Sequence, residues 1–356
     1  MSFVIILFSL GLLIGGIGIF LIRRGRETDL KSISVTIVAR DEEKILPQTL
    51  AALSRINYPP ELYEIILVDD GSQDNTNQLF RSFADSRKNV EILTISREEK
   101  ILPGKKQGLQ KALEKARHEI FLMTDADCFV SENWLKDCSG YWDDKTKMLV
   151  GYAPEDYSQL LRQAPFSRKL FFLFRRFSQI VTAGSFAATI GLGLPFSCYG
   201  RNMAVSRELL LKAGGYHKIG KEPSGDDKQV LNLMLKQPGV IRYSPLRNVV
   251  TRPELERYRD QQKRRFGKVR MSTTFHFIMT LLIIGFYLYL PFRVFLWADY
   301  GSFAIFYLSA AAVWLLNLAK HKERFSLFDL LFIIVYPYYL IYYTVIGSKG
   351  DWRWKE

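Results

Sequence analysis

Residues 64–72 read EIILVDDGS, an apolar run that ends in two adjacent carboxylates, a glycine and a serine. Isoleucine, leucine and valine in a run of this length are typical of one buried β-strand. Asp69 and Asp70 would then lie at the carboxyl end of the strand, where they can accept a hydrogen bond from a nucleobase N–H or a sugar hydroxyl. A plain turn with a helix cap explains the same residues, since Asp and Gly are common turn formers.

Strand-like and helix-like patterns alternate around this stretch. The predicted strands cover residues 33–38, 64–68, 90–95 and 120–124, and the predicted helices cover residues 42–55, 74–84 and 105–116. This alternation predicts an α/β fold with a parallel sheet that helices cover on both faces. Ligands of such sheets bind at the carboxyl ends of the strands, so functional residues are expected there.

Two further carboxylates, Asp125 and Asp127, follow the last of these strands. Alternate residues at a strand end can reach one cleft, and carboxylate oxygens are the hard ligands that suit Mg²⁺ or Mn²⁺. Such a metal offsets the charge that builds up on a leaving diphosphate. We therefore predict a metal site at this D-x-D pair.

Residues 104–108 read GKKQG and begin a predicted helix. A lysine and the backbone N–H groups at a helix N-terminus can hold phosphate. The spacing differs from that of a P-loop, which argues against an ATPase. A solvated basic turn is the alternative interpretation.

Asp226 and Asp227 precede a helical run at 229–236. A carboxylate at a helix start that faces the ligand edge of the sheet can act as a general base. Aspartate is also a common helix cap, which is the alternative.

Residues 262–266 read QKRRF and lie just before an apolar stretch. The arginine could pair with a diphosphate and the aromatic ring could flank an acceptor sugar. A juxtamembrane basic cluster explains the same composition.

Residues 3–22 are apolar and uncharged, and Arg23, Arg24 and Arg26 follow them. About 20 helical residues span the roughly 30 Å hydrocarbon layer of a bilayer. No basic residue precedes the run and no small-x-small site follows it, so we expect a retained anchor at 1–23 rather than a cleaved signal peptide. The arginines predict that the downstream chain lies in the cytoplasm.

Three more apolar stretches, near residues 275–297, 301–319 and 325–346, predict about three C-terminal transmembrane helices within 275–347, followed by a tail at 348–356. Crossing parity puts the tail outside, whereas its basic residues favour the inside, so both sides stay open. The predicted domain between the anchors covers residues 30–270. Within it, residues 160–185 mix basic and aromatic side chains, which indicates an amphipathic helix in the headgroup layer or, alternatively, an ordinary packed helix.

The formal net charge is +13. A nucleic-acid binder would have such a charge, but the basic residues concentrate beside apolar aromatic segments, which favours anionic membrane lipid as the partner and no nucleic acid. The three cysteines, Cys128, Cys138 and Cys198, lack metal-ligand spacing. They are typical of a reducing compartment.

The order of the motifs is more specific than any one of them. The series VTIVARDEE, DDGS, GK, DAD, GRNMAV, GDD and QKRRF, at residues 35–43, 69–72, 104–105, 125–127, 200–205, 225–227 and 262–266, resembles the membrane-bound family 2 glycosyltransferases. The resemblance covers about residues 33–270 and the arrangement of anchors at both ends. It implies a GT-A fold and an inverting, metal-dependent transferase of the hexosyltransferase type, in the inner membrane of a bacterium.

The resemblance also implies roles for individual residues. Asp227, with Asp226 beside it, would be the catalytic base, and Asp127, with Asp125, would hold Mg²⁺ or Mn²⁺. The donor, a UDP-sugar by default with GDP still open, would contact Ala39, Arg40, Glu42, Asp69, Asp70, Lys105, Asp125 and Arg265. The acceptor, a lipid or glycan at the membrane, would contact Gly200, Arg201, Asn202, Gln262 and Phe266.

This chain departs from the family pattern at three positions. Asp226 replaces the usual glutamate, Phe266 replaces the usual tryptophan, and Arg201 replaces a small residue. The additional arginine suits an acceptor phosphate. The alternatives that remain are a processive polysaccharide synthase of the same family, a non-catalytic membrane scaffold and a membrane-linked nucleotidyltransferase.

Overall fold

The computed structural model describes residues 3–26, 30–96, 98, 100–219, 225–253, 255, 258–267 and 274–347. Its internal contacts divide the chain into two compact units. The sheet unit comprises Ile17–Asp156 and Thr182–Arg252, and the helical unit comprises Met1–Gly16, Tyr157–Val181 and Pro253–Glu356.

The strands are short runs rich in branched apolar residues, which suit a pleated and buried surface. They are β1 Ile33–Ala39, β2 Tyr63–Asp69, β3 Val90–Thr94, β4 Ile120–Asp125, β5 Cys128–Val130, β6 Thr146–Gly151, β7 Met203–Ser206, β8 Val240–Ser244 and β9 Val249–Thr251. The helices are α1 Phe3–Leu21, α2 Leu46–Leu53, α3 Thr76–Ala84, α4 Lys106–Lys115, α5 Trp134–Gly140, α6 Ser158–Gln163, α7 Phe166–Gly191, α8 Arg207–Lys212, α9 Asp226–Leu235, α10 Tyr258–Gly267, α11 Thr274–Trp297, α12 Tyr300–His321 and α13 Phe328–Gly347.

The main sheet has the strand order β3-β2-β1-β4-β7-β6-β8. The first four strands of the chain are parallel, as the alternating pattern predicts. β7 runs antiparallel to both β4 and β6, so the complete sheet is mixed. β5 and β9 form a separate antiparallel pair. The helix-strand alternation stops after β4, and this is why the antiparallel strand was not predicted.

Helices cover both faces of this sheet, as predicted. On one face, Leu46 of α2 and Phe80 of α3 pack into the same core as Ile37 of β1. On the other face, α4 approaches so closely that a Cβ on Gly108 would come 2.8 Å from a methyl group of Val38. Only a glycine permits helix and strand to pack at this distance.

Strand register brings three chain segments to one edge of the sheet. Ala39, the last residue of β1, is paired with Asp69 of β2. On the other side of β1, Val38 is paired with Asp125 of β4. The carboxyl ends of these strands therefore place the DDGS and D-x-D segments on either side of β1.

A close helix crossing also lies within the sheet unit. A Cβ on Gly191 of α7 would come 1.9 Å from the carbonyl oxygen of Gly18 in α1. Small residues let two helix backbones approach in this way, which is a common means of packing apolar helices.

In the part of the chain that the structure describes, α1, α12 and α13 are long and apolar enough to cross a membrane. Their mean hydropathies are 2.7, 1.7 and 1.7. In α11, the apolar stretch found among the described residues is shorter and covers Leu281–Arg293. Helices α1, α12 and α13 thus agree with the predicted anchors in position and composition, whereas the predicted span near residues 275–297 stays a prediction.

The first half of α7 is packed inside the helical unit. Phe177 packs against Trp314 of α12, with ring centroids 4.3 Å apart. Arg175 is buried, donates from Nε to the Tyr157 hydroxyl at 2.9 Å, and stacks over the ring of Tyr258 at 3.8 Å. The predicted location of residues 160–185 in the headgroup layer stays a prediction.

Candidate active site

The turn after β2 is built around Asp69. This buried carboxylate accepts the Ser72 backbone N–H at 3.0 Å and the Asn77 side-chain amide at 2.8 Å. Directly after it, the Asp70 N–H donates to the Ala39 carbonyl at 2.9 Å. Asp69 therefore orders the turn, and Asp70 is the residue that the turn presents at the sheet edge.

Asp70 is buried, with 5% of its surface exposed. Its Oδ2 accepts from the Lys100 ammonium at 2.5 Å, whereas its Oδ1 has no hydrogen-bond partner among the described residues. Burial raises the pKa of Asp70, and the neighbouring Lys100 and Arg40 charges oppose that rise. A buried oxygen without a donor costs free energy, so this oxygen is a strong acceptor for an incoming N–H or O–H group.

The D-x-D pair follows β4. Asp125 Oδ1 lies 2.7 Å from the Lys105 ammonium, and Asp127 Oδ2 lies 3.1 Å from the Thr251 hydroxyl. Burial opposes the ionisation of Asp125, but the charge and hydrogen bond of Lys105 outweigh it, so its pKa is lowered. Desolvation and the charge of Asp125 raise the pKa of Asp127. One carboxylate is thus already neutralised by a lysine, and the other is open to a further cation.

Ligand atoms of Asp125, Asp127 and Cys128 all lie within 4.8 Å of one another. The Cys128 thiol lies 3.6 Å from Asp127 Oδ1. Burial and then the adjacent carboxylates raise the pKa of this thiol, so it stays neutral and can donate. The two carboxylates offer the oxygen ligands that Mg²⁺ and Mn²⁺ prefer, and the residues fit such an ion.

Lys105 also connects the D-x-D pair to α9. Its ammonium lies 3.6 Å from Asp226 Oδ2, in addition to its bond with Asp125. Burial lowers the pKa of Lys105, but Asp125, Asp226 and Asp227 raise it well above the usual value. The lysine therefore stays charged between the two acidic motifs.

Asp227 is the second residue of α9 and lies beside the segment that precedes β7. Its Oδ1 accepts the Lys228 backbone N–H at 2.8 Å. A Cβ on Gly200 would come 3.3 Å from the Cβ of Asp227, so the glycine leaves room at this carboxylate. The predicted base and the predicted acceptor segment are thus neighbours.

Arg201 and Asn202 differ in their surroundings. Burial lowers the pKa of Arg201, but nearby carboxylates, Asp125 and Asp127 among them, help to raise it above its usual value. Asn202 is buried, accepts from the Trp134 indole at 3.0 Å and donates to the Tyr152 carbonyl at 3.1 Å. Arg201 lies in the field of the D-x-D pair, whereas the amide of Asn202 is engaged in the protein interior.

The two other predicted donor residues follow β1. Arg40 is exposed, and its Nε lies 3.8 Å from Asp41 Oδ2. The Glu42 N–H donates to the Thr76 hydroxyl at 2.9 Å, which connects this loop to α3. Both residues lie at the same sheet edge as Asp70.

The QKRRF residues belong to the helical unit. Gln262 is buried in α10, where its Oε1 accepts from the Tyr339 hydroxyl at 3.1 Å. Arg265 and Phe266 lie in the same helix, but their side chains are outside the described residues, as is Ser224 before the GDD motif. The roles expected of Gln262, Arg265 and Phe266 remain predictions.

Two residues of this site, Lys100 and Thr251, were not predicted from the sequence. Lys100 lies in a charged stretch, and Thr251 ends the short strand β9. Neither has a motif around it, and only the fold brings them to Asp70 and Asp127.

A cavity of about 640 Å³ does not coincide with this site. It lies by the amino ends of β2 and β4, and the residues that line it include Arg87, Arg117 and His118.

Residues 34–205 match the family model described as Glycosyl transferase family 2. This part of the chain is therefore a family 2 glycosyltransferase domain. The matched region contains the DDGS, lysine and D-x-D segments.

Several curated relatives align with a part of the chain. The glycosyltransferase AglE of Haloferax volcanii is 30% identical over 107 residues, which are 30% of this chain and 34% of AglE. The undecaprenyl-phosphate 4-deoxy-4-formamido-L-arabinose transferase of Pectobacterium atrosepticum is 34% identical over 104 residues, 28% of this chain and 30% of that protein. The beta-monoglucosyldiacylglycerol synthase of Trichormus variabilis is 27% identical over 106 residues, 30% of this chain and 22% of the synthase. Each alignment thus spans about a third or less of the relative.

Among solved structures, the mannosyltransferase PcManGT from Pyrobaculum calidifontis, in complex with GDP-Man and Mn²⁺, has a TM-score of 0.55 at 16% identity. The alignment covers 98% of this chain and 94% of PcManGT. The similarity confirms the GT-A fold that the resemblance implied.

Proposed function

We propose that this protein transfers a sugar from a nucleoside-diphosphate donor, by default a UDP-sugar, to a lipid or lipid-linked acceptor at a membrane. The observation that carries the proposal is the position of the Lys105 ammonium, which lies 2.7 Å from Asp125 Oδ1 and 3.6 Å from Asp226 Oδ2. These residues come from three separate motifs. The lysine offers a positive charge to a diphosphate, and the carboxylates offer ligands to a metal ion.

Asp70 supports a role in holding the nucleoside. Its Oδ1 is a buried acceptor without a partner in the described part of the chain. Uracil and guanine both carry a ring N–H that can donate to such an oxygen. Because an unsatisfied buried acceptor is costly, the gain on donor binding includes the relief of that cost.

Asp127, assisted by Asp125, is the residue that would hold Mg²⁺ or Mn²⁺. A bound divalent ion supplies Lewis-acid stabilisation of the negative charge on the leaving diphosphate. Lys105 keeps Asp125 ionised, and the Thr251 hydroxyl orients Asp127. PcManGT was solved in complex with Mn²⁺, which makes Mn²⁺ the first ion to test.

Asp227 is proposed as the general base. It would take the proton from an acceptor hydroxyl as that oxygen forms a bond to the anomeric carbon. The bond from the anomeric carbon to the diphosphate oxygen breaks on the opposite face, and its electron pair leaves with the nucleoside diphosphate. A single displacement of this kind inverts the anomeric configuration, and base assistance is worth about 10²–10⁴-fold in rate.

The apolar helices support an acceptor at the membrane. Helices α1, α12 and α13 have the length and composition of membrane spans. Two of the relatives have a lipid in their names, undecaprenyl phosphate in one case and monoglucosyldiacylglycerol, the product of a synthase, in the other. Arg201 adds a cation beside the site, which suits a phosphate on the acceptor. We propose an integral membrane protein with a cytoplasmic catalytic domain, in a bacterial inner membrane.

The test is a screen of nucleotide-sugars with the purified full-length protein, membrane lipid extract and Mn²⁺ or Mg²⁺. We expect metal-dependent release of nucleoside diphosphate together with sugar in the lipid phase. Release of pyrophosphate would indicate a nucleotidyltransferase instead. Polymer on a gel would indicate a processive synthase, and absence of any turnover with every donor would leave the scaffold alternative.

A further inference from the structure

We propose that Lys100 is a positioning residue of the donor site, which fixes Asp70 by one carboxylate oxygen and thereby keeps the other oxygen available to the nucleobase. This inference rests on the proposed function, because it assigns the nucleoside to Asp70. Lys100 belongs to none of the motifs that indicate a glycosyltransferase, and it lies in the segment between β3 and α4.

The geometry at Asp70 is asymmetric. Oδ2 lies 2.5 Å from the Lys100 ammonium, while Oδ1 is buried and has no partner among the described residues. Charge-assisted hydrogen bonds of this kind are short and hold both groups in one orientation. The lysine therefore determines which of the two oxygens faces the donor site.

The charged groups that face Asp70 are Lys100, Arg40 and Asp69. Asp69 carries the same charge as Asp70, and Arg40 is exposed. Lys100 is the better shielded of the two cations, since 18% of its side chain is exposed against 39% for Arg40. The principal counter-ion of the buried Asp70 carboxylate is therefore Lys100.

The segment that carries Lys100 is tied down at several points. The Leu102 N–H donates to the Gln107 side chain at 3.1 Å, and Lys105 binds Asp125 at 2.7 Å. Two lysines of one segment thus pair with Asp70, beyond β2, and with Asp125, at the end of β4. A donor nucleotide with its base at Asp70 and its diphosphate near Asp125 would therefore lie along the segment that carries Lys100 and Lys105.

Loss of Lys100 has an electrostatic consequence that distinguishes positioning from folding. Burial already raises the pKa of Asp70, and removal of the nearest cation raises it further. A protonated Asp70 is a weaker acceptor than the carboxylate and can place an O–H against the ring N–H, so it holds the base less tightly. The binding defect should then shrink as the pH rises and Asp70 ionises again.

The experiment measures binding of UDP, and separately of GDP, to the full-length protein with Mn²⁺ between about pH 6 and about pH 8, a range below the titration of lysine. Lys100→Met should weaken binding of the preferred nucleotide about tenfold near neutral pH, as expected for loss of a close charge pair. The ratio of the variant's Kd to that of the wild type should fall as the pH rises. Lys100→Arg should keep most of the affinity, since it retains the cation.

The matched control is Lys115→Met, which removes an exposed lysine paired with Glu91 at 3.1 Å. It should bind as the wild type does. Equal affinity of Lys100→Met and wild type, or a defect that is independent of pH and shared by Lys100→Arg, overturns the role of Lys100 alone. A wild-type protein that binds neither nucleotide overturns the proposed function and this inference with it.

Discussion

The Lys105 ammonium lies 2.7 Å from the Asp125 carboxylate, so the residue before α4 is bonded to the end of β4. The same ammonium lies 3.6 Å from Asp226 at the start of α9. One cation thereby holds the predicted metal motif beside the predicted base motif. This relationship is the structural basis of the proposed reaction.

Asp227→Asn should abolish transfer while nucleotide binding is unchanged. Asparagine keeps the acceptor oxygen that bonds the Lys228 N–H but cannot take a proton. We expect turnover to fall by about 10²–10⁴-fold. Steady-state turnover and nucleotide titration of the purified protein measure the two effects. Asp144→Asn, at an exposed turn, is the control. Full turnover by Asp227→Asn would contradict the assignment of Asp227 as the general base.

Asp127→Ala should weaken the metal-dependent part of donor binding. Asp125 is already paired with Lys105, so the remaining carboxylate carries most of the affinity for a divalent ion. Titration of UDP with and without Mn²⁺ measures the nucleotide Kd. We expect Mn²⁺ to lower the Kd of the wild type strongly and that of the variant only slightly. Asp85→Ala, an exposed residue after α3, should behave as wild type. An unchanged metal effect in Asp127→Ala would contradict the assignment of the ligand.

Gly200→Ala should lower turnover and leave donor affinity intact. The new Cβ would come 3.3 Å from the Cβ of Asp227, so the base must shift by a few tenths of an ångström. Small displacements of a catalytic group are costly, and we expect a loss of up to about tenfold in kcat. Gly301→Ala, where a Cβ meets no atom within 4 Å, is the control. Turnover equal to that of the control would contradict the prediction that a side chain at residue 200 displaces the catalytic base Asp227.

Glu64→Gln should destabilise the sheet unit at neutral pH but not in acid. Burial opposes ionisation of Glu64, but hydrogen bonds from Ser34 and Arg117 outweigh it, so its folded-state pKa is lowered. Such a group stabilises the fold above its unfolded pKa of about 4.3, and the contribution is lost as the pH falls through the folded value.

For that variant we expect a loss of about 1.5–3 kcal/mol, the range for a hydrogen bond to a charged group. Thermal unfolding of the full-length protein in detergent, at pH values from neutral to acidic, measures the difference. Glu61→Gln, at an exposed position, is the control. A difference that stays constant as the pH falls would contradict the ionised state of Glu64.

The sequence predicted the part of the fold that repeats a local pattern. Apolar runs ending in polar residues identify β1, β2 and β4, and their common polarity follows from the intervening helices. The same rule predicts that Asp69, Asp70 and Asp125 lie at one edge. The register confirms this for Asp69 and Asp125, and the hydrogen bond from the Asp70 N–H to the Ala39 carbonyl places Asp70 there as well. The antiparallel strand β7 has no such pattern around it, and its pairing depends on contacts that are distant in sequence.

Residues without a motif could not be predicted in the same way. In the sequence, Lys100 cannot be distinguished from an ordinary surface lysine. In the folded protein its ammonium lies 2.5 Å from Asp70 Oδ2. Thr251 reaches Asp127 only because β9 pairs with β5, whose residues directly follow the D-x-D pair. Conversely, Asn202 belongs to a motif, yet its amide bonds Trp134 and Tyr152 in the interior.

The proposed reaction is tested most sharply by an experimental structure of the full-length protein with the preferred nucleoside diphosphate and Mn²⁺. We expect the base against Asp70 Oδ1, the ion on Asp127, and the diphosphate between that ion and Lys105. A nucleotide bound at another surface, or an ion held without Asp127, would contradict the proposed mechanism.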